Sequence, residues 1–301
     1  MLTYAIYDVF TATPYAGNPL AIVKGADGLS DAQMQTIASE FNLSETIFVQ
    51  TPSDPANDAA VRIFTPASEI PFAGHPTIGC ALHLASDQLG KGASGATIRL
   101  EEVAGLVPVQ ITTGPDGAQA EFVAPVLPTP TGGRFDFDQA AAALGLAPTD
   151  LGIDGHSTGV FIGGPTFAYV PLASTDALAR ARPMSPAWDR LIAAAGTDSV
   201  YVYAKIAGGY QARMFAPGNG IPEDPATGSA SAIFAAQLLA SQALADGTTQ
   251  IPLLQGVEMG RPSQIGLSVD VSEGTLAQIR VSGQAVPIMT GQLNPPAQEM
   301  C

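Results

Sequence analysis

The chain has 301 residues, enough for two domains of ordinary size, and 46% of them are hydrophobic while 13% are charged. It has no apolar run long enough to span a membrane, and its net charge of -15 would repel nucleic-acid phosphates, so we expect neither partner. Two cysteines cannot build a disulfide framework, and the start MLTYAIYDVF lacks a secretory signal, so we expect a cytoplasmic protein.

The first part of the chain has the pattern of short strands separated by two helices. A capping box formed by Ser30 and Gln33 predicts that the first helix begins there. A second helix is predicted to begin near His75 and Pro76, with an apolar stripe that includes Ile78. Strands, indicated by β-branched and aromatic residues between turn residues, are predicted at TYAIYDVF, PLAIV, ETIFV, AAVRIF, ATIRL, LVPVQIT and QAEFV.

A Pro- and Gly-rich segment, PVLPTPTGGR at 125–134, suits neither helix nor strand and predicts a linker. We place the domain boundary in it, which gives domains 1–126 and 127–301. The second part repeats the earlier pattern, with helices predicted at DQAAAALG, SPAWDRLIAAAG and the apolar stretch after ATGS. The sequence leaves open whether the last predicted strand, AVPIMTG, returns to the first domain.

An internal repeat links the two parts. The segment RIFTPASEIPFAGHPTIGCA, from Arg62, recurs as RMFAPGNGIPEDPATGSASA, from Arg213, at a spacing of 151 residues. After a two-residue insertion, SETIFV from Ser44 aligns with TDSVYV from Thr197. Self-similarity of this length indicates a duplicated domain. We therefore expect the functional site where the two copies face each other.

Each repeated segment leads through an irregular loop into an apolar helix, once at His75 and once between Asp224 and Ser229. Helix N-termini offer free N–H groups and a positive dipole end, which can hold a carboxylate without any lysine. Ordinary helix entries with Pro, Thr or Asp at the cap would show the same pattern. We interpret Glu69 and Glu223 as loop charges near the mouth of the site.

Four segments together resemble the PhzF phenazine-biosynthesis-like family: AGNPLAIV, SETIFV, FTPASEIPFAGHPTIG and GIPEDPATGSA. They stand in the family's order, and the resemblance covers nearly the whole chain. It implies an α+β protein of the diaminopimelate epimerase-like fold, with two pseudo-symmetric domains, each a mostly antiparallel β-sheet or barrel rolled around a central helix. It also implies an active site between the domains, a homodimer, and neither a metal nor an organic cofactor.

The resemblance assigns the proton-shuttling role to Glu45, with His75 and Asp224 as the other catalytic residues. Apolar Ile47 and Phe48 next to Glu45 favour a raised carboxyl pKa, although a solvated glutamate at a strand end fits the same pattern. A capping or core histidine and a helix N-cap aspartate are the corresponding alternatives for the other two. The predicted substrate-binding residues are Asn18, Gly74, Thr77, Gly228 and Ser229.

The resemblance implies an isomerase that moves a proton and a double bond in a small carboxylate-bearing substrate of the trans-2,3-dihydro-3-hydroxyanthranilate type. Two alternatives remain: an epimerase or lyase acting at an amino-acid α-carbon, and a non-catalytic small-molecule binding protein. Both helix starts lack the cysteine that two-base racemases of this fold use, and Cys80 and Cys301 are interpreted as structural. The physiological substrate is not set by the sequence.

Overall fold

The computed structural model describes residues 1–89 and 95–297, so Cys301 lies outside the described residues. The chain separates into two compact units. Unit 1 comprises residues 1–123 and the C-terminal segment from Ser282, and unit 2 comprises residues 124–281.

Unit 1 contains every strand predicted in the first part of the chain. Its elements are β1 (Leu2–Val9), β2 (Asn18–Lys24), α1 (Asp31–Phe41), β3 (Glu45–Gln50), β4 (Ala59–Phe64), β5 (Glu69–Ile70), α2 (Gly74–Leu89), β6 (Ala96–Glu102), β7 (Gly105–Gly114) and β8 (Gly117–Val123). Strand β1 is antiparallel to β2, β2 is parallel to β3, and β3 is antiparallel to β4. Strand β4 is parallel to β6, and β6, β7 and β8 form an antiparallel meander.

Helix α2 is the central helix of unit 1, because it contacts β1, β2 and β3 as well as β6, β7 and β8. Its predicted stripe is confirmed, and Ile78, Ala81 and Leu82 are buried. Gly79 allows the helix to lie close to the sheet, because a Cβ at this position would lie 2.6 Å from Cδ2 of Leu20. A sheet rolled around an apolar helix is therefore the core of this unit.

Helix α1 forms a second cluster with β3 and β4, in which Met34 and Ile37 pack with Phe48 and Phe64. The predicted capping box is present: the Gln33 N–H donates to Oγ of Ser30, and the Ser30 N–H donates to Oε1 of Gln33. Local side-chain chemistry thus sets where this helix begins.

Unit 2 repeats this architecture with more helices. Its elements are β9 (Thr129–Pro130), α3 (Phe137–Leu144), β10 (Gly159–Ile162), β11 (Thr166–Leu172), α4 (Thr175–Arg180), α5 (Ala187–Ala195), β12 (Val200–Ile206), β13 (Gly209–Ala216), β14 (Ile221–Asp224), α6 (Gly228–Ala240), β15 (Gly247–Gln255), β16 (Ser263–Ser272) and β17 (Thr275–Gly283). Strands β10 and β11 are antiparallel, β11 is parallel to β12, and β12 is antiparallel to β13. Strand β13 is parallel to β15, which is antiparallel to β16.

Helix α6 is the apolar helix of unit 2 and contacts β10, β11 and β16. Phe234 on this helix is fully buried among aromatic rings of the surrounding sheet, with the ring centroid of Tyr203 at 4.6 Å and that of Tyr210 at 5.2 Å. A helix that is apolar on all sides fits only inside such a core. On another part of this sheet, α3, α4 and α5 form a separate cluster around Trp188.

The last described strand, β18 (Ala285–Leu293), lies in unit 1, where it pairs antiparallel with β1 from Leu2↔Leu293 to Val9↔Ala285. The two units thus share one order of strand pairing, with parallel pairs at the same two places and a helix inside each sheet. This is the duplicated α+β architecture that the internal repeat predicts.

Candidate active site

Three of the predicted site residues of unit 1 meet at one edge of its sheet. Asn18 begins β2 and Glu45 begins β3, and because these strands are parallel their first residues lie at the same edge. His75 is the second residue of α2. Its Nδ1 atom lies 3.2 Å from Oε2 of Glu45 and 3.5 Å from Nδ2 of Asn18.

The imidazole of His75 is held in its neutral form. Burial lowers the pKa of His75 to about 3, and a hydrogen bond to the carbonyl of Pro19 offsets this only in part. The 3.2 Å contact with Glu45 has the length of an ion pair, yet it joins a carboxyl group to a neutral ring. The other ring nitrogen, Nε2, is buried and has no hydrogen-bond partner among the described residues. The site therefore holds a carboxyl group against a neutral imidazole.

Gly74 and Thr77 belong to the first turn of α2. Thr77 is fully buried, and its Oγ1 lies 2.7 Å from the carbonyl oxygen of Ala73 and 2.7 Å from Oε1 of Glu102. Burial raises the pKa of Glu102 to about 8. Thr77 thus supports this turn from the inside of the unit, and its role in substrate binding stays a prediction. Glu102 was not predicted as a site residue because it ends an ordinary strand.

In unit 2, Asp224 is the last residue of β14 and is buried. Its Oδ2 accepts a hydrogen bond of 2.5 Å from Oγ1 of Thr227, the N-cap residue of α6. Gln255 holds both residues, because its Nε2 donates to the Asp224 carbonyl at 2.8 Å and to Oγ1 of Thr227 at 3.0 Å. Its Oε1 accepts from the Thr227 N–H at 3.2 Å. Gln255 was not predicted as a site residue, since it lies on β15, far from Asp224 along the chain.

The first two residues of α6 are Gly228, which is buried, and Ser229, which is half-buried. The first N–H groups of a helix have no acceptor within the helix, so this turn can donate to an anionic ligand. Asp224 lies before this helix and Thr227 takes the N-cap position. Asp224 and Ser229 are therefore at the entry of one helix, as predicted, and their roles stay predictions.

Both loops that enter the central helices are fastened by an arginine, which the interpretation of Glu69 and Glu223 as loop charges had missed. Nε and Nη2 of Arg62 donate to the two carboxylate oxygens of Glu69 at 2.7 and 2.6 Å. Arg213 forms the same bidentate pair with Glu223, at 2.8 Å for both bonds. The signal was present in the sequence, because Arg62 and Arg213 are equivalent positions of the repeat.

One of the two cysteines, Cys80, lies in the described part of the chain. Cys80 is buried in α2, and burial raises the pKa of its thiol, which disfavours a reactive thiolate. Within residues 1–89 and 95–297, no cluster of His, Cys, Asp and Glu side chains could hold a metal ion. None of the helices described there is long and apolar enough to cross a membrane.

A duplicated sheet rolled around a central helix, with acid/base side chains at the helix entries, defines the class of diaminopimelate epimerase-like proteins. A PhzF-family protein of Bacillus anthracis has this structure, with a TM-score of 0.82 at 26% identity, over 97% of this chain and 99% of that one. The family model described as phenazine biosynthesis-like protein matches residues 7–291. The chain belongs to this PhzF family.

Curated relatives over nearly the full length are named isomerases. An uncharacterized isomerase of Mesorhizobium japonicum is 41% identical, over 96% of this chain and 98% of the relative. The trans-2,3-dihydro-3-hydroxyanthranilate isomerase of Pseudomonas chlororaphis is 34% identical, over 96% of this chain and 98% of the relative. The protein is an isomerase.

Proposed function

We propose that the protein moves a proton, and with it a double bond, in a small carboxylate-bearing substrate of the trans-2,3-dihydro-3-hydroxyanthranilate type, without a metal or an organic cofactor. The observation that carries the proposal is the contact between the Glu45 carboxyl and the neutral imidazole of His75. The substrate class rests on the name of the Pseudomonas chlororaphis relative. We also propose that the protein is cytoplasmic and forms a homodimer.

Glu45 is the proposed acid/base. Its carboxylate takes a proton from a carbon atom of the substrate, and the electrons of that C–H bond form the new double bond. The electrons of the original double bond move to the carbon at the far end of the system, and this carbon takes a proton from the Glu45 carboxyl. One carboxyl group is sufficient because it acts first as the base and then as the acid.

His75 is proposed to orient the Glu45 carboxyl through the Nδ1 contact. Because burial lowers the pKa of His75 to about 3, the ring does not take up a second proton near neutral pH. The imidazolium form therefore has no part in this mechanism. The proton removed from the substrate is therefore held by the Glu45 carboxyl, which is 15% exposed and exchanges it with solvent before a proton is returned. Asn18, which also contacts His75, is proposed to support the ring.

Asp224 is proposed to assist the proton transfer, and the first turn of α6 is proposed to bind the substrate carboxylate. Gly228 and Ser229 contribute N–H groups of that turn, and Ser229 adds a hydroxyl. In unit 1, Gly74 and Thr77 form the equivalent first turn of α2. The shared helix entries of the two units support this assignment.

The test is to incubate the protein with trans-2,3-dihydro-3-hydroxyanthranilate in D₂O and to follow the reaction by NMR. The expected product has a shifted double bond and deuterium at the new C–H position. Exchange at the α-carbon of amino acids without a shift of a double bond would instead favour an epimerase. Binding of the acid without any exchange would overturn the proposal in favour of a binding protein.

A further inference from the structure

Glu102 is a buried carboxyl group that the proposed mechanism does not use. It is the last residue of β6 and is 7% exposed. Its Oε1 lies 2.7 Å from Oγ1 of Thr77, and its Oε2 is buried without a hydrogen-bond partner among the described residues. A buried carboxylate in such surroundings would be costly, because the charge has no cation beside it.

The two short contacts of the Thr77 hydroxyl bear on the protonation of Glu102. Oγ1 of Thr77 lies 2.7 Å from the carbonyl oxygen of Ala73 and 2.7 Å from Oε1 of Glu102. A hydroxyl has one proton to donate, and a carbonyl oxygen has none. If Thr77 donates to Ala73, the second short contact is a hydrogen bond only when Glu102 donates to Thr77. Both contacts are satisfied together when Glu102 is a neutral carboxylic acid.

A second bond fastens the same strand end to the loop before α2. The Ala104 N–H, in the turn that follows β6, donates to the carbonyl of Pro71 at 3.0 Å. Pro71 and Thr77 lie on either side of His75 in the chain. The end of β6 therefore holds the entry of α2 at two points, one on each side of the imidazole.

Burial is the largest influence on the Glu102 carboxyl and raises its pKa to about 8. Strand β7 contains no ionisable residue. The ionisable residues on the elements that adjoin Glu102 include His75 and Cys80 on α2, Arg62 on β4, and Arg99 and Glu101 on β6 itself. His75 is neutral, and burial raises the pKa of the Cys80 thiol, so that group is also neutral. Arg62 is bound by Glu69 and Asp31, and Glu101 accepts from Ser53 and Asn57.

We propose that Glu102 is a positioning residue: it is protonated in the folded protein and donates to Thr77, which fixes the first turn of α2 and with it the ring of His75. The protonation and the fixed turn stand on the structure of unit 1 alone. The consequence for turnover rests on the proposed function.

Denaturant unfolding of the wild type, Glu102→Gln and Glu101→Gln across about pH 5 to 8 tests the protonation without any substrate. Because the pKa of Glu102 is raised, the folded state keeps a proton that the unfolded state has lost, and the stability of the wild type falls as the pH rises through this window. Relative to Glu102→Gln, its unfolding equilibrium constant should increase by up to about tenfold per pH unit.

Glu101→Gln is the matched control, because the hydrogen bonds of Glu101 lower its pKa to about 2. Glu101 is then ionised in both states across the window, so this variant should run parallel to the wild type. A Glu102→Gln protein that also runs parallel overturns the proposal. If that variant does not fold, carboxyl ¹³C NMR of the wild type decides: a midpoint near 8 supports the proposal, and a carboxylate already ionised at pH 6 overturns it.

The pH profile of turnover tests the positioning role of Glu102. Between about pH 7 and 9, the turnover ratio of Glu102→Gln to wild type should rise by up to about tenfold, as the wild type loses its neutral acid and the amide keeps its donor. A constant ratio overturns the positioning role. If no turnover is found for any substrate, the proposed function fails, while the unfolding experiment still decides the state of Glu102.

Discussion

Oε2 of Glu45 lies 3.2 Å from Nδ1 of His75, and both side chains are largely buried, with 15% and 4% of their surface exposed. The contact exists because the first residue of β3 and the first turn of α2 reach the same edge of the rolled sheet. Burial keeps the ring neutral, so the imidazole brings no positive charge to the contact.

The neutral ring predicts an acid-dependent loss of stability. As the pH falls below the usual pKa of histidine, His75 becomes protonated in the unfolded chain. It stays neutral in the folded protein, because burial lowers its pKa there to about 3. The wild type should therefore lose about 2 kcal/mol relative to His75→Asn between about pH 7 and pH 5. Urea unfolding at both pH values measures this. Equal losses in the two proteins would show that the ring is protonated when folded.

Arg213 is expected to be essential for the structure of the loop that carries Asp224. Besides its two bonds to Glu223, its Nη1 donates to the carbonyl oxygens of Leu178 and Ala181 at 2.9 and 2.8 Å. Lysine keeps the charge but not this set of bonds, so Arg213→Lys should lower the free energy of unfolding by about 2 kcal/mol.

Arg180→Lys is the control for that experiment, because Arg180 forms a similar bidentate pair with Asp150 on the surface. Its denaturation midpoint should match that of the wild type. Equal effects of the two substitutions would contradict the assigned role of Arg213.

Gln255 should be required for the geometry of the α6 entry. Gln255→Ala removes three hydrogen bonds to Asp224 and Thr227 in a fully buried place, and we expect a loss of about 2 kcal/mol. Gln264→Ala, at an exposed position on β16, should leave the midpoint unchanged. Thermal or urea unfolding measures both, and a Gln255→Ala protein as stable as the control would refute the prediction.

The close approach of α2 to the sheet can be tested at Gly79. An added methyl group would lie 2.6 Å from Cδ2 of Leu20 and 2.7 Å from Cγ2 of Val9, so Gly79→Ala should cost about 1–3 kcal/mol through overpacking. A Cβ at Gly132 meets nothing within 4 Å, which makes Gly132→Ala the matched control. Calorimetry should show a lower melting temperature for the first variant alone; equal melting temperatures would mean that the helix has room to move.

Sequence patterns predicted the elements whose signal is local. The capping box of Ser30 and Gln33 set the start of α1, and alternating β-branched residues located the strands of unit 1. The short helix α4 was not predicted, because six residues are too few to show a helical period of apolar residues. The repeat together with the family resemblance predicted the rolled fold of both units.

The partners of the candidate site residues were beyond local patterns. Glu102 contacts Thr77, and Gln255 contacts Asp224, because each sheet curls around its central helix. The residues of each pair are distant along the chain. Such contacts depend on strand register rather than on spacing along the sequence. The neutral state of His75 likewise follows from burial that no nearby residue type reveals.

The rate of solvent deuterium incorporation in Glu45→Gln is the most direct test of the account. With trans-2,3-dihydro-3-hydroxyanthranilate in D₂O, the wild type should incorporate deuterium, and Glu45→Gln should do so at least about 100-fold more slowly, because the amide cannot accept the proton. Glu40→Gln, the same change at an exposed position on α1, should match the wild type. Incorporation by Glu45→Gln at the wild-type rate would contradict the assignment of Glu45 as the group that moves the proton.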